Sequence, residues 1–427
     1  MEQIRIKNLG EIYTGKTPPT ADESNFGNDY PFVTPGDLVT DKYIHSTERF
    51  VSSKGIKHTT IIPKNSVCVS CIGYIGKIGI TIQESCTNQQ INSIVPNENF
   101  DTNYVYYLLV YNVPYFKELA GVNVLAQLNK SDFSKIKLQA TKNQKEQTAI
   151  AGILSKVDEA ISTTKNSIKA AEKLKKALMQ NLLTGKLKPD GAKRPKNELI
   201  ITKYGTAHKD WKYCKINDLI REKYITKVQD GNHGEIHPVS AEFVDDGISF
   251  VMASDISKGF INHKKCKKIT FERAEKLRIG FAKKGDVLIS HKASIGYTCI
   301  VDDVEPYVML TPQVTYYRTD QSKLLPEYLL YFFQQYSFQN LMEGYAKQST
   351  RNYIGITNQK KMWIYLPDSI EEQEEMIIPI RKIDLRIIKQ EEKIENLERL
   401  KTSLMQNLLT GKKQVDVEKT NQLLNAN

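Results

Sequence analysis

A chain of 427 residues is two to three domain-lengths and can bury more than one core. With 40% hydrophobic and 26% charged residues it has the composition of a soluble globular protein, which argues against disordered, collagenous and membrane classes. Its net charge of +11 favours partners that carry phosphate.

The chain holds no stretch of about 18 apolar residues, and MEQIRIKNLGEIY at the start lacks the apolar run of a secretory signal, so a cytoplasmic location is expected. Cys68, Cys71, Cys86, Cys214, Cys266 and Cys299 are scattered in apolar contexts, which suits buried thiols better than a disulfide framework.

Residues 10–17, GEIYTGKT, match the G-x-x-x-x-G-K-T phosphate-loop pattern. Such a loop must run into a helix whose amides hold the phosphates, and here Pro18 and Pro19 force extended backbone after Thr17. The segment therefore reads as a turn. Residues 67–72 then read as a strand closed by a glycine-rich turn, and residues 103–119 as an aromatic-rich amphipathic helix. Cys68 and Cys71 make a lone C-x-x-C with no second pair, too few ligands for a zinc site. Asn112, Val113, Pro114 and Tyr115 resemble the N-P-P-Y loop of adenine methyltransferases, but position two is Val and no glycine-rich cofactor loop precedes it. This reads as a helix terminus.

From residue 144 a narrow apolar stripe runs at helical spacing: Ile150, Leu154, Val157, Ile161, Thr164, Ile168, Ala171, Leu174, Leu178 and Leu182. Its end, LMQNLLTGK at 178–186, recurs identically at 404–412, 226 positions later. The second stripe is Met376, Ile380, Ile383, Ile387, Gln390, Ile394, Leu397, Leu400, Leu404 and Leu408, with the same alternation of three and four and the same doubled three. That pattern predicts two long helices that pack on each other as a coiled-coil pair, with Thr164 and Gln390 as the polar layer. About 38 residues at ~1.5 Å each give rods of roughly 57 Å. Glu146 and Gln147 open the first copy, and Glu372 and Gln373 the second.

The segments ahead of the helices echo one another in order. PFVTPGDL at 31–38 parallels SFVMASDI at 249–256, and NSVCVSCIGYIGKIGI at 65–80 parallels GDVLISHKASIGYTCI at 285–300. Further on, 103–111 parallels 326–334 and 128–138 parallels 356–366, with residues 326–342 read as a second aromatic-rich helix. Between the halves, 186–200 is Pro- and Lys-rich. The chain thus reads as a duplication of mixed α and β domains.

Residues 258–292 carry eleven Lys and Arg against three acidic residues, a local charge of +8. Such a surface can neutralise DNA phosphates while neighbouring polar side chains read base edges. The candidates in the first domain are Lys57, His58, Tyr74, Lys77, Asn88, Gln89, Gln90 and Asn92. In the second they are Lys227, Gln229, Asn232, His233, Lys264, Lys265, Lys267, Lys268, His291, Lys292, Ser294, Gln313, Arg351 and Asn352. No set of residues at catalytic or metal-ligating spacing accompanies them.

The duplicated helices ending in LLTGK, the TGKTP opening at 14–18, the PGDL at 35–38 and the paired Glu-Gln helix starts together resemble the specificity subunits of type I restriction-modification systems. The resemblance covers nearly the whole chain and departs from the pattern at 227–238, where KVQDGNHGEIHP replaces the TGKTP turn. It implies an α+β fold: two mixed α/β target-recognition domains separated by two long antiparallel coiled-coil helices, an internal pseudo-two-fold repeat. The expected divisions are a first recognition domain at 1–143, a helix at 144–187, a linker at 188–209, a second domain at 210–369, a helix at 370–412 and a polar, frayed tail at 413–427. The seam is expected to hold Ile150, Leu154, Val157, Ile161, Ile168, Leu174, Leu178, Ile380, Ile383, Ile387, Ile394, Leu397, Leu400 and Leu404.

As function the resemblance implies a non-catalytic subunit whose domains each read half of a bipartite, asymmetric site in double-stranded DNA, with the helices setting the spacer. Partners would be two methyltransferase subunits and restriction-translocase subunits. S-adenosylmethionine, ATP and magnesium would belong to those subunits, with no cofactor, metal or membrane contact in this chain. The competing reading is a coiled-coil scaffold presenting two domains to a protein partner, which explains the helices but not the basic stretch.

Overall fold

The repeated stripes form two α-helices of 39 residues each, Gln144–Leu182 and Ile370–Leu408. The computed structural model describes residues 1–39, 41–121, 127–202, 205–234, 236–257, 259–302, 304, 306–347 and 353–425. Unit 1 comprises Met1–Asn166 and Gln390–Asn427, and unit 2 comprises Ser167–Lys389, so each unit contains part of both helices. In unit 1, Ile150, Ala151 and Leu154 share a core with Met405, Leu408 and Leu409. In unit 2, Met179, Leu182 and Leu183 share one with Met376, Ile377 and Ile380. Further along the first helix in unit 1, Asp158 meets Lys401, and in unit 2 Lys175, ahead of Met179, meets Asp384, beyond Ile380; rising numbers on one helix meet falling numbers on the other, so within each unit the pairing is antiparallel.

Of the expected seam, Ile150, Leu154, Val157, Ile161, Ile380 and Ile387 are buried, and Ile168, Leu178, Ile383, Ile394, Leu397 and Leu404 are half-buried. Leu174 and Leu400 do not belong to it: they are 53% and 47% exposed. Each helical residue turns by about 100°, so two successive steps of three carry the stripe about 120° away from the face of Ile150 or Met376. Lys175 and Lys401, one residue further on, return to within about 20° of that face. In the polar layer, buried Thr164 donates its hydroxyl to its own helix at the Ala160 carbonyl (2.7 Å), while Gln390 is half-buried.

The identical helix ends have structural causes. Gln147 is fully buried; its Oε1 accepts from Asp101 N (2.8 Å) and its Nε2 donates to the carbonyls of Asn99 and Thr141 (both 3.0 Å). Gln373 does the same with Leu325 N and the carbonyls of Lys323 and Pro367, each at 3.0 Å. At the other end Gly185 and Gly411 take φ of 68° and 72°, the left-handed cap that favours glycine. A Cβ on Gly185 would lie 2.8 Å from the His208 Cβ, and one on Gly411 would lie 2.5 Å from the Met1 Cγ.

Beside two-stranded pairs, each unit carries two larger sheets with matching connections. In unit 1 the first has the strand order Gly10–Thr14, Ile91–Pro96, Val67–Ser70, Ile78–Thr81, Tyr43–Ile44. The second runs Arg49–Val51, Phe26–Val33, Ser85–Thr87, Ile61–Ile62, with Phe32 beside Cys86 in parallel. Unit 2 repeats this as Ile225–Asp230, Val314–Thr319, Val287–Ser290, Thr298–Ile300, and as Phe243–Val244, Lys267–Ile269, Ile248–Val251, Val308–Leu310, Phe281–Ala282, with Phe250 parallel to Met309. Val67–Ser70 and Val287–Ser290 are buried along their whole length, as central strands with continuous apolar runs should be.

Four expectations need correction. The helix at 103–119 is two helices, Thr102–Tyr111 and Val113–Leu119, because Pro114 in the first turn of the second lacks the amide that would continue the first. That at 326–342 is also two, Pro326–Gln334 and Tyr336–Lys347, divided by Gln335 with ψ 141°. The expected linker contains the hairpin Leu199–Thr202 with Gly205–His208, and Ala207 and Trp211 enter the unit 2 core. The expected frayed tail contains a helix, Val417–Asn425, and the missing Cβ of Gly152 makes room for Leu424. Among the described residues, no helix is long and apolar enough to cross a membrane.

Candidate nucleic-acid interface

In unit 1 the TGKTP turn is packed against the turn that joins Ser85–Thr87 to Ile91–Pro96. Gly15 N donates to the Ile91 carbonyl (3.1 Å), Asn88 N to that of Val33 (3.1 Å) and Cys71 N to that of Gln90 (2.8 Å). A Cβ on Gly15 would come within 2.2 Å of the Asn88 carbonyl oxygen, so glycine is required here by the approach of two backbones. Around this junction Thr17 Oγ1 donates to Gln89 Oε1 (2.6 Å), Thr14 Oγ1 to Asn92 Oδ1 (2.7 Å), and the Thr59 hydroxyl to the Lys16 carbonyl.

The short turn Gly55–His58 therefore lies beside the TGKTP turn and presents Lys57 and His58 to solvent. Lys77 Nζ donates to the Pro35 carbonyl (2.9 Å) and sits 5.1 Å from the centre of the Tyr74 ring, whose residue is 67% exposed. Lys57, His58, Tyr74, Lys77, Gln89 and Gln90 thus gather at one edge of unit 1. Asn88 and Asn92 are buried and act inward: the Asn88 amide bonds Gln90 Oε1 (2.9 Å) and its carbonyl oxygen accepts from Gln90 N (3.1 Å). Exposed Lys16 and half-buried Thr17 belong to the same edge. Composition and charge do not single them out, although the phosphate-loop pattern at 10–17 runs through both.

Unit 2 builds the equivalent edge from other side chains. Gly231 N donates to the Val314 carbonyl (2.9 Å), Thr311 N to that of Val251 (3.0 Å) and His291 N to that of Gln313 (2.9 Å). A Cβ on Gly231 would meet the Thr311 carbonyl oxygen at 2.0 Å, so Asp230-Gly231 takes the place of Thr14-Gly15. The hydroxyl–carboxamide pair of Thr14 and Asn92 becomes Thr315 Oγ1 donating to Asp230 Oδ1 (2.6 Å).

His233, Lys292 and Ser294 are exposed at this edge, and Gln229 and Gln313 are half-buried. The Gln229 Oε1 accepts from Tyr316 OH (3.1 Å) and Gly280 N (3.4 Å), and the Gln313 Oε1 accepts from Ala253 N (3.3 Å). Asn232 and His291 are buried and cannot touch a base as they stand. The His291 ring lies 3.6 Å from Asp230 Oδ1 and 5.3 Å from the Tyr353 ring; burial holds its pKa below the usual imidazole value, against the opposing pull of Asp230. Arg351 and Asn352 lie outside the described residues.

The basic stretch is not one surface. Lys267 pairs with Phe250, next to Val251 at the edge, so exposed Lys264, Lys265 and Lys267 flank the edge, while half-buried Lys268 reaches Asp246 (3.4 Å). Lys283 and Lys284 follow Phe281–Ala282 at the far end of the strand, about 10 Å from Gly280 at the edge. Asp286, almost completely buried, takes Arg318 in a two-pronged ion pair (2.8 and 2.7 Å). Lys227 stands three residues back along its strand from Asp230. A cavity of about 430 Å³ in unit 1 is away from the edge, lined by Lys42, Tyr106, Asp158 and Lys401 among others.

The model of the type I restriction modification DNA specificity domain matches residues 1–173 and again 208–399, once in each half. The MjaIX specificity subunit of Methanocaldococcus jannaschii is 24% identical across 96% of this chain and 93% of its own. The HindI specificity subunit of Haemophilus influenzae is 36% identical over 142 residues, 32% of this chain and 31% of its own. Among solved structures, the type I S subunit from M. genitalium superposes with a TM-score of 0.61 at 13% identity, covering 95% of both chains. A chain from a structure of type I complex assembly and conformational transition gives 0.53 at 16% identity, over 96% of this chain and 97% of that one.

Proposed function

From its place in the type I restriction modification DNA specificity family, to which this chain belongs as a non-catalytic subunit that selects DNA, we propose that each unit reads one half of a bipartite site at the edge described above. The observation that carries this reading is the pair of equivalent edges built on one backbone plan with different side chains. Lys16, Gln89, Tyr74 and Lys77 of unit 1 stand where unit 2 has Asn232, Pro312, Ser294 and Tyr297. Equal scaffolds with unequal readers imply two half-sites of different sequence, hence an asymmetric target.

At each edge, cations contact phosphates and fix register: exposed Lys16 and Lys57 with half-buried Lys77 in unit 1, and exposed Lys264, Lys265, Lys267 and Lys292 in unit 2. Exposed or half-buried polar groups read base edges: His58, Tyr74, Gln89 and Gln90, and His233, Gln229, Ser294 and Gln313. Behind them, Asn88 and Asn92 hold the turns through their side chains, and Asn232 and His291 through their main-chain amides. The paired long helices connect the two readers and set the unread spacer, since two linked weak modules gain avidity only where the half-sites match their geometry. The same helices offer the docking surface for two methyltransferase subunits, and restriction-translocase subunits complete the complex.

The test is a genome-wide map of N6-methyladenine in cells with the gene intact and deleted, with the methyltransferase subunit expressed. Loss of one bipartite, asymmetric motif on deletion is expected. An unchanged methylation map would overturn the reading in favour of a scaffold.

A further inference from the structure

Both units contain the same three-residue cluster where a domain meets the helix pair. In unit 1, Tyr107 on Thr102–Tyr111 donates its hydroxyl to Asp158 Oδ2 (2.7 Å), and Lys401 Nζ reaches Asp158 Oδ1 (2.6 Å) while lying 5.5 Å from the Tyr107 ring centre. In unit 2, Tyr331 on Pro326–Gln334 donates to Asp384 Oδ2 (2.9 Å), and Lys175 Nζ reaches Asp384 Oδ1 (2.7 Å), 5.2 Å from the Tyr331 ring centre. The helices exchange roles: the carboxylate comes from the first in unit 1 and from the second in unit 2. Lys175 and Lys401 are the residues that the doubled three-residue step returns to the seam in place of Leu174 and Leu400.

Each cluster joins three chain segments at one carboxylate. Tyr107 and Tyr331 are buried, and all four charged side chains are only about a fifth to a quarter exposed. Apolar side chains in a helix interface can slide past one another with small loss, whereas charge-assisted hydrogen bonds of this length tolerate little change of distance or angle. Additional bonds differ between the units: Lys42 Nζ donates to Ser155 Oγ (2.9 Å) and Tyr107 OH (3.4 Å) in unit 1, and Lys175 Nζ donates to Gln334 Oε1 (3.3 Å) in unit 2. Gln334 in turn holds Thr298 Oγ1 (3.1 Å) on a sheet strand.

We infer that Tyr107–Asp158–Lys401 and Tyr331–Asp384–Lys175 are positioning residues that set the angle of each reading domain on the helix pair, and so determine which spacer lengths are accepted. The inference rests on the half-site reading proposed above. It assigns spacer selectivity, separately from base selectivity, to residues that are not among the proposed readers.

The test uses Asp158→Asn and Asp384→Asn, with Tyr107→Phe and Tyr331→Phe as milder variants that keep the buried ring, each expressed with the partner subunits in the deletion strain. Methylation is then mapped. The expected result is unchanged half-sites, with the methylated fraction at sites one base pair longer or shorter rising at least tenfold. Reduced methylation confined to the parental spacer in every variant would show a merely structural role and overturn the inference, as would an altered half-site. A deletion strain with an unchanged methylation map would instead refute the half-site reading, and this inference with it.

Discussion

Replacing Gly15 with alanine puts a methyl group where the TGKTP turn touches the 87–91 turn. The new carbon would stand 2.2 Å from the Asn88 carbonyl oxygen, 2.2 Å from Thr87 Oγ1 and 2.3 Å from the Thr87 carbonyl oxygen. Ordinary contact begins near 3.4 Å, so one turn must retreat by about 1.2 Å. That movement breaks the Gly15 N to Ile91 bond (3.1 Å) and strains Thr14 to Asn92 (2.7 Å), at about 1 kcal/mol each. Overpacking adds about 1–3 kcal/mol, for a total of about 3–5 kcal/mol. Unit 1 should remain folded, since domains hold about 5–15 kcal/mol, but with the edge displaced. Urea unfolding should show a lower midpoint at unchanged slope, and amide exchange at residues 11–15 and 87–92 should accelerate. Methylation of the bipartite motif should fall in cells. Lys16→Ala, which removes an exposed side chain beside the same turn, should stay within about 0.5 kcal/mol of the parent. A Gly15→Ala protein less than 1 kcal/mol weaker would refute the claim that backbone packing, rather than any bound phosphate, demands this glycine.

Arg318→Met should destabilise unit 2 by about 3–5 kcal/mol by urea unfolding, because the carboxylate of Asp286, with a side chain 1% exposed, loses its charged partner; a cost under 1 kcal/mol would disprove this. Neutralising Lys264, Lys265 and Lys267 with glutamine should lower the slope of log affinity against log salt for the assembled complex on DNA by up to about 2.7, and an equal slope would remove these residues from the phosphate contacts. Burial lowers the pKa of the Lys42 amine to about 8, so its acylation by an amine-reactive ester should rise through pH 8 as the proton leaves and level off above it; continued rise to the ordinary lysine range would contradict that environment. Four residues inserted in each long helix, after Asn166 and after Gln390, add about 6 Å and should lengthen the spacer by one or two base pairs with both half-sites kept. An unchanged spacer would show that the helices do not set it.

The repeat and the long helices were legible because helical periodicity is local: every residue of the stripe is set by its neighbours three and four away. The error at Leu174 and Leu400 came from extending that stripe through a phase change that geometry alone turns outward. Sheet order was not legible, since the parallel pair Phe32 and Cys86 joins residues more than fifty apart across short strands. The type of a polar residue at the edges is plain in the sequence, yet whether it faces solvent depends on backbone contacts distant in sequence. Gln89 stands clear of its turn, whereas Asn88, one residue earlier, faces inward. In the tail, the apolar Val415 and Leu424 were the signal for a packed helix, and Gly152 the socket it needed.

The two halves are most alike where they must agree and least alike where they can differ. Gln147 and Gln373, Asp158 and Asp384, Lys175 and Lys401, and the two Thr-Gly caps each perform one structural task twice, with buried or directional bonds that admit few substitutes. At the edges the common element is main chain: Gly15 and Gly231 against a neighbouring turn, and amide bonds from residues 71 and 291 to Gln90 and Gln313. Side chains leaving such a frame contribute little to its stability, and exposed changes usually cost within about 0.5 kcal/mol. One backbone plan can therefore carry two unrelated sets of exposed side chains, which is what the proposed reading of an asymmetric site by a duplicated chain requires.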